Sequence, residues 1–396
     1  MQLLPRRAGR SEVGHAGRRG LAVSSEARVQ QGGSNGRVAL PSGTTGLPVV
    51  PGSTVGIVAN PMSGRDIRRL VAQASVFPNA EKTNMALRLV SATGATGVAR
   101  VLMSTDGMGV AAGVLRARDK RRADAARWPE LEFVELDAIS GTAEDTRALV
   151  RRMVAAGASV IVLLGGDGTV RAAAAASGDA ALLPLSTGTN NAFPEMWEAT
   201  VAGTAAGLVA TGRVPLAEAS YRAKALHVVA GASHELALVD VCVSTVTHVG
   251  SRALWQPATL RELFCAFAEP HAIGLSSIAG LLHPAARTDP HGVVVRLAGA
   301  EAAPHTVLAP IAPGVVAPIG VHHAGPLAAG QPHPVGLARG TVAVDGEREI
   351  EFGPSTPVTV TLAPDGPRVL DVRTVLAAAA QRRLLDPDAI TQEVRS

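Results

Sequence analysis

Ser159-Val-Ile-Val-Leu-Leu-Gly-Gly-Asp-Gly-Thr-Val-Arg171 is the stretch on which the reading of the whole chain turns. Val160–Leu164 is a short, continuous, β-branched apolar run, the pattern of a strand buried on both faces of a parallel sheet. The Ala-rich segment Arg171–Ala176 behind it favours helix, so Gly165, Gly166, Asp167, Gly168 and Thr169 occupy a strand-to-helix turn. Ligands of open α/β sheets bind at such turns, beyond the carboxyl ends of the strands. Glycine lets a phosphate or ribose approach bare backbone, and a helix N-terminus favours an anion. A carboxylate placed among these glycines repels its ligand unless it holds a metal or takes a proton from an attacking hydroxyl. A tight turn with Asp167 as helix N-cap accounts for the aspartate, but it gives no reason for the glycines around it. Asp167 is therefore the candidate catalytic residue, and Gly165, Gly166, Gly168 and Thr169 are the candidate phosphate cradle.

Upstream of this stretch, strands alternate with helices. Val55–Asn60 reads as a strand, followed by helices at Asp66–Ser75 and Glu81–Ala92. A strand at Arg100–Ser104, the turn Thr105–Gly109 and a charged helix through Arg127 come next. Leu131–Leu136 is a strand, and Thr142–Ala156 a helix capped by Thr142 with Asp145 in its first turn. Downstream lie a strand at Leu182–Ser186 and a helix from about Glu195 to Ala210. This alternation predicts a doubly wound parallel sheet over residues 53–212. After Gly212 the segments Ala225–Ala230, Leu236–Thr247, Val293–Leu297, Thr341–Val344 and Val358–Leu362 predict a mainly antiparallel β domain over 213–370, interrupted by a helical patch at Leu260–Ala268. A helix over Val372–Leu384, within a last segment 371–396, is positioned to pack back on the first domain.

Composition narrows the function. A length of 396 residues suggests two domains, and 47% hydrophobic against 18% charged residues supply sizeable cores. Only 3% of the chain is aromatic, too little for the stacking platforms of a single-stranded nucleic-acid binder. The net charge of +4 resides in residues 1–30, where Arg6, Arg7, Arg10, Arg18, Arg19 and Arg28 face only Glu12 and Glu26. The remainder is neutral, so no nucleic-acid partner is indicated. Cys242 and Cys265 lie in apolar surroundings without metal-ligand spacing, as in a reduced, cytoplasmic protein. No uncharged stretch reaches the ~18–20 apolar residues of a membrane span. Residues 1–52 are polar and rich in Gly, Ser and Pro and read as a disordered tail or an over-extended start. Their Arg-rich beginning has no apolar core and is not a secretory signal.

Three further constellations stand at loop positions. Asn60-Pro-Met-Ser-Gly-Arg65 ends the first strand, where Ser63 and Gly64 can present hydroxyl and N–H groups to a phosphate and Arg65 a charged fork. Ser186-Thr-Gly-Thr-Asn-Asn-Ala-Phe193 ends the strand after the Asp167 turn. Its Thr187, Gly188, Thr189, Asn190 and Asn191 suit ribose hydroxyls, an adenine edge or a nucleotide phosphate, unless they merely cap the next helix. Asp345-Gly346-Glu347 between two β segments is, on spacing alone, a hairpin turn. His322-His323 reads as an exposed loop pair. Gly107–Gly113 misses the dinucleotide fingerprint by one residue.

Taken together, Asn60-Pro-Met-Ser-Gly64, Gly165–Thr169, Thr187-Gly-Thr-Asn-Asn191 and Asp345-Gly-Glu347 resemble the superfamily of NAD kinases and diacylglycerol-type lipid kinases. More narrowly, Asn60-Pro-Met-Ser-Gly-Arg-Asp-Ile-Arg-Arg-Leu70, Gly141-Thr-Ala-Glu-Asp-Thr-Arg147 and Ser186–Pro194 with Glu198-Ala-Thr200 are similar to the ATP-NAD kinase-like acetoin catabolism protein X family. The resemblance covers roughly residues 53–385. It implies a Rossmann-like first domain, a β-sandwich second domain and a cleft between them that Asp345 reaches. It also implies ATP, Mg²⁺ or another divalent cation, NAD as substrate, and Asp167 as the motif aspartate that acts on the acceptor hydroxyl. Two stretches depart from the NAD kinase pattern. Gly188–Phe193 is closer to the lipid-kinase loop, and Val239-Asp240 stands where an Asn-Glu/Asp pair would read the nicotinamide nucleotide.

The reading that follows is a phosphotransferase moving the ATP γ-phosphoryl to a nucleotide hydroxyl, as a homo-oligomer acting on small molecules. Asn60, Ser63 and Arg65 secure the donor phosphates, and Thr189, Asn190 and Asn191 hold a nucleotide. A lipid kinase of the same fold and a non-catalytic NAD(H)- or nucleotide-binding regulator of acetoin metabolism are the alternatives. No set of metal ligands is assigned.

Overall fold

Apolar runs alternating with Ala-rich helices build the first sheet. Its strands are β1 (Val50–Ala59), β2 (Val98–Ser104), β3 (Glu130–Val134), β4 (Val160–Gly165) and β5 (Ala181–Ser186). Between them run α1 (Asn79–Ala95), α2 (Val110–Asp119), α3 (Ala143–Ala155) and α4 (Asp167–Ala174), and α5 (Ala199–Ala210) follows β5. The structure is a computed structural model describing residues 46–64, 77–120, 128–188, 190–248, 257–299 and 303–386. Residues 1–45 of the tail expected over 1–52, the helix at Asp66–Ser75, the helical segment 121–127, Arg65 and Thr189 lie outside the described residues.

The strands lie in the order β3-β2-β1-β4-β5, all parallel. The chain winds outward from β1 on one side, then returns and winds outward from β4 on the other. The reversal between β1 and β4 opens a crevice at their carboxyl ends. There the Asn60 N–H donates to the Leu164 carbonyl at 3.0 Å, locking the two turns side by side. Every residue of β4 is buried, as its unbroken apolar run requires. One face of the sheet is covered by α1, α2 and α5 and the other by α3 and α4. On α5, a Cβ added at Gly207 would lie 1.9 Å from the Thr96 hydroxyl, so glycine there permits close packing on α1. Thr142 caps α3 through its hydroxyl, which accepts from Glu144 N at 3.2 Å.

Beyond α5 the chain runs through α6 (Leu216–Ala219), β6 (Ser220–Arg222), β7 (Ala225–Ala230), β8 (Ser233–Ala237), β9 (Asp240–Ser244) and β10 (Leu260–Cys265). Then come α7 (Ser276–Leu282), β11 (Gly292–Ala298), β12 (His305–Ala312), β13 (Val315–Leu327), β14 (Pro332–Pro334), β15 (Gly340–Val344) and β16 (Glu347–Phe352). Last are β17 (Val358–Ala363), β18 (Arg368–Leu370) and α8 (Val372–Gln381). Two antiparallel sheets result, β12-β13-β11-β10-β9-β15-β16 and β14-β17-β7-β8. Leu226, Val228, Val360 and Leu362 of the smaller sheet share a core with Val241, Phe264 and Val342 of the larger. The same core runs on beneath the first sheet to Ile161, Leu163 and Leu182. The chain then returns: β18 adds parallel to β5, β6 pairs antiparallel with β18, and Val372, Val375 and Ala379 of α8 join the α1/α5 core. A Rossmann-like parallel sheet followed by antiparallel β sheets is the fold class the sequence predicts. No helix among the described residues is long and apolar enough to cross a membrane.

Four sequence readings need correction. The first strand begins at Val50 rather than Val55, inside the stretch expected to be unstructured. Val50 pairs with Val98, and Ser53 bridges the irregularity at Gly52 (φ 80°) by donating to Val50 O at 2.6 Å and accepting from Ala99 N. Leu260–Ala268 is not helical: Leu260–Cys265 is a strand between β9 and β11, and burial on both sides erases the alternation that marks a strand. Leu236–Thr247 is not one strand but is broken at Leu238-Val239, for a reason given below. His322 and His323 are exposed but belong to β13, not to a loop.

Candidate functional site

The turns after β1, β2, β3, β4 and β5 surround a cleft of about 890 Å³ at the switch point of the first sheet. Asn60, Ser63, Gly64, Gly166, Asp167, Gly168, Thr169, Gly188, Asn190 and Asn191 line it, and Asp345 reaches it from the β15–β16 hairpin. Gly165 and Thr187 are not on its wall. Gly165 ends β4, where an added Cβ would lie 2.5 Å from Thr169 Cβ. Thr187 is fully buried, with its hydroxyl 2.7 Å from Ser63 Oγ.

The glycines of the turn serve different ends. A Cβ at Gly166 would meet Asn191 Oδ1 at 2.7 Å, so that glycine admits the Asn191 side chain. A Cβ at Gly168 meets nothing within 4 Å and would project into open space. Gly166 is the N-cap of α4 and, as glycine, brings no side chain of its own to cap the helix. The N-terminus of α4 thus stands on the cleft wall, a position suited to an anion. The reading of Asp167 as N-cap fails. Asp167 is the first helical residue, and its carboxylate crosses to the next turn to accept from Phe193 N at 2.8 Å and Ala192 N at 3.1 and 3.2 Å.

The other motif side chains stitch the turns together. Asn60 donates through Nδ2 to Thr169 Oγ1 at 2.9 Å and accepts from Met62 N at 2.9 Å. Asn191 donates to Ser186 Oγ at 2.9 Å. Beneath the first turn lies Lys82 of α1, 0% exposed, whose ammonium donates to the carbonyls of Asn60 at 2.9 Å and Ser63 at 2.8 Å. Sequence reasoning missed Lys82. The signal was its place on the stripe Lys82-Met85-Ala86-Leu89, the apolar face of the helix. It also missed Asp106 and Asp145 on the cleft rim. Each accepts backbone N–H groups at the end of its own loop: Asp106 from Met108, Val110 and Ala111, Asp145 from Ser140 and Gly141.

Asp345 (φ 50°) and Gly346 (φ 80°) form the turn between β15 and β16, so the hairpin reading and the approach to the cleft both describe them. The Asp345 carboxylate accepts from Leu238 N at 3.0 Å, Val239 N at 2.8 Å and Asp240 N at 3.3 Å. This is what breaks Leu236–Thr247 into β8 and β9. It also means that Val239-Asp240 meets Asp345 through backbone, while the Asp240 residue is buried in β9. Arg171 of α4 approaches Asp345 at 3.8 Å, Glu349 at 2.9 Å and Glu235 at 3.6 Å. Burial pushes Asp345 up to about 7, against the pull of Arg171, and the Asp167 carboxylate pushes it the same way as burial. The acidic neighbours outweigh burial at Arg171 and raise its own pKa.

No group of three or more His, Cys, Asp or Glu spaced to hold a metal occurs among the described residues. The cleft instead offers separate carboxylates beside the N-terminus of α4. This fits a divalent ion that arrives with phosphates and keeps most of its water, as Mg²⁺ does.

Fold and turn chemistry place the chain among ATP-NAD kinase-like proteins, and residues 55–214 match the ATP-NAD kinase N-terminal domain. Residues 224–365 match the acetoin catabolism protein X C-terminal domain. The chain is 41% identical to acetoin catabolism protein X of Cupriavidus necator over 336 residues, 84% of this chain and 93% of that relative. It belongs to the acetoin catabolism protein X family.

Proposed function

We propose that the protein is a phosphotransferase of NAD kinase type, moving the γ-phosphoryl of ATP to a hydroxyl of a nicotinamide nucleotide, and that this activity serves acetoin catabolism. The observation that carries the proposal is the N-terminus of α4 at the sheet's switch point, with glycine at its cap position and open space at Gly168. Phosphoryl transfer demands positioning and charge neutralisation more than covalent chemistry, and the residues divide along those lines. N–H groups of the first turn of α4 receive donor phosphate, with Asn60, Ser63 and Gly64 along its edge. Gly188, Thr189, Asn190 and Asn191 hold the nucleotide's sugar. The acceptor oxygen attacks the γ-phosphorus, the bond to the β-phosphate oxygen breaks, and ADP leaves with that electron pair. Asp167 orients the acceptor hydroxyl and takes its proton. A divalent cation, when bound with the phosphates, supplies charge neutralisation, and Asp167 and Asp345 are the motif carboxylates on the cleft wall that would hold it.

Incubation with ATP, Mg²⁺ and NAD, followed by an enzymatic readout of NADP, tests the proposal. Formation of NADP supports it, and its absence alongside phosphorylation of NADH or diacylglycerol reassigns the acceptor. A second reading, a nucleotide-binding regulator without turnover, draws on the bonds that Asp167 makes to Ala192 and Phe193. They give the carboxylate a bracing role that needs no chemistry. Equilibrium binding of ATP without release of ADP selects that reading.

A further inference from the structure

We infer that Arg287 is the positioning residue for Asp167, acting through the backbone of Ala192 and Phe193 from the side opposite the cleft. The kinetic part of this inference rests on the phosphotransferase reading, and the structural part does not. The peptide unit joining Ala192 to Phe193 has its N–H aimed at Asp167 Oδ1 at 2.8 Å and its C=O accepting from Arg287 Nη2 at 2.7 Å. An anion sits at the positive end of the peptide dipole and a cation at the negative end. Each polarises the unit toward the other, so the two bonds strengthen together. Arg287 Nη1 donates to the next carbonyl, Phe193 O, at 2.8 Å. The guanidinium therefore grips two successive carbonyls with the fork geometry that lysine lacks.

Arg287 is itself held in place. Glu269 receives Nε at 3.2 Å and Nη2 at 3.3 Å. The guanidinium carbon lies 4.4 Å from the Phe267 ring centre and 5.4 Å from that of Phe193. Lys224 fastens the supporting loop by donating to Ala286 O at 3.0 Å and His291 O at 2.6 Å. The Arg287 side chain is 14% exposed and borders a separate cavity of about 230 Å³ with Tyr221 and Glu269, not the catalytic cleft. It cannot touch the reacting groups there. Its influence on them passes through the backbone on which the Asp167 carboxylate is aligned.

Arg287→Lys retains the charge and removes the fork. Amide hydrogen exchange of a peptide spanning residues 186–194 is compared with one spanning 260–266 in β10, using the full chain. Faster exchange at Ala192 and Phe193 with β10 unchanged is expected. Equal loss in both peptides, or none, overturns the inference. In the NADP assay, kcat normalised to nucleotide-binding sites should fall ~10²-fold, the scale of a small misplacement of a catalytic group, while KM for ATP stays within about twofold. Unchanged kcat also overturns the inference. If the wild-type protein has no turnover, the phosphotransferase reading fails, and the exchange result still decides whether Arg287 orders the loop. Should Arg287→Lys not fold, Glu269→Gln loosens the same guanidinium, with the same local exchange pattern expected and the same two exchange results overturning the inference.

Discussion

Of the three Asp-Gly dipeptides on the cleft, Asp106-Gly107, Asp167-Gly168 and Asp345-Gly346, the last two do two different jobs. Both carboxylates accept N–H groups of consecutive residues on another segment, 192–193 for Asp167 and 238–240 for Asp345. Asp167 opens a helix and is half-buried at the cleft wall. Asp345 turns a hairpin, is buried, and is pushed up to about 7. The glycines differ as well: Gly346 carries a φ of 80° that the turn demands, whereas Gly168 meets no such demand and faces open space. The contrast separates an Asp-Gly pair that opens a helix at the cleft wall from one that turns a hairpin beside it.

The largest effect should come from Asp167→Asn. Turnover should fall ~10²–10⁴-fold, the contribution of a positioned base. The amide also presents an NH₂ where a carboxylate oxygen accepted, costing ~1–3 kcal/mol of stability. Steady-state kinetics and chemical denaturation measure the two separately, and full activity in a destabilised variant would reduce Asp167 to a brace. Asp345→Asn should instead change pH dependence. The fold raises this carboxyl from 3.8 to about 7, so folding takes up a proton within that window. The stability tied to this proton is complete below the unfolded value and is lost as pH rises through about 7. The amide should flatten Tm against pH over that range, a difference on the order of 2–4 kcal/mol between its ends. An unaltered profile would show that other groups set it.

The smallest effects fall on the two glycines and carry opposite signs. Gly346→Ala should lose ~1–2 kcal/mol, because a side chain is strained at positive φ. Gly168→Ala should gain up to ~1 kcal/mol from helix propensity and weaken nucleotide binding, measured by calorimetry. A Gly168→Ala protein that binds nucleotide normally would remove the case for phosphate at that turn.

Much of this arrangement was legible in the residues, for physical reasons. Val160–Leu164 could be read because a strand covered on both faces has no polar positions to confuse it. The Thr142 cap was equally plain, because the capping group is a side chain. Leu260–Cys265 was misread because the same two-sided burial, without a flanking glycine turn, does not distinguish strand from helix. The bracing of Asp167 left no trace in the sequence, since its partners are backbone N–H groups that any residue supplies. Arg287 lies far from Ala192 along the chain, and nothing in its neighbours marks it. Lys82 was within reach, since a lysine on the apolar stripe of a helix calls for a buried partner.

The return of β18 and α8 to the first sheet bears on how the chain is made. These elements come from residues 368–381, yet they cover the outer edge of β5 and part of the apolar surface of α5. As the polypeptide leaves the ribosome, the half that carries the parallel sheet emerges early with one strand edge unpaired, a template for wrong pairing. The whole antiparallel region must be synthesised before the protecting strand appears. The two halves therefore cannot mature in the order they are translated, and the last strand and helix to be made close the first sheet to be started.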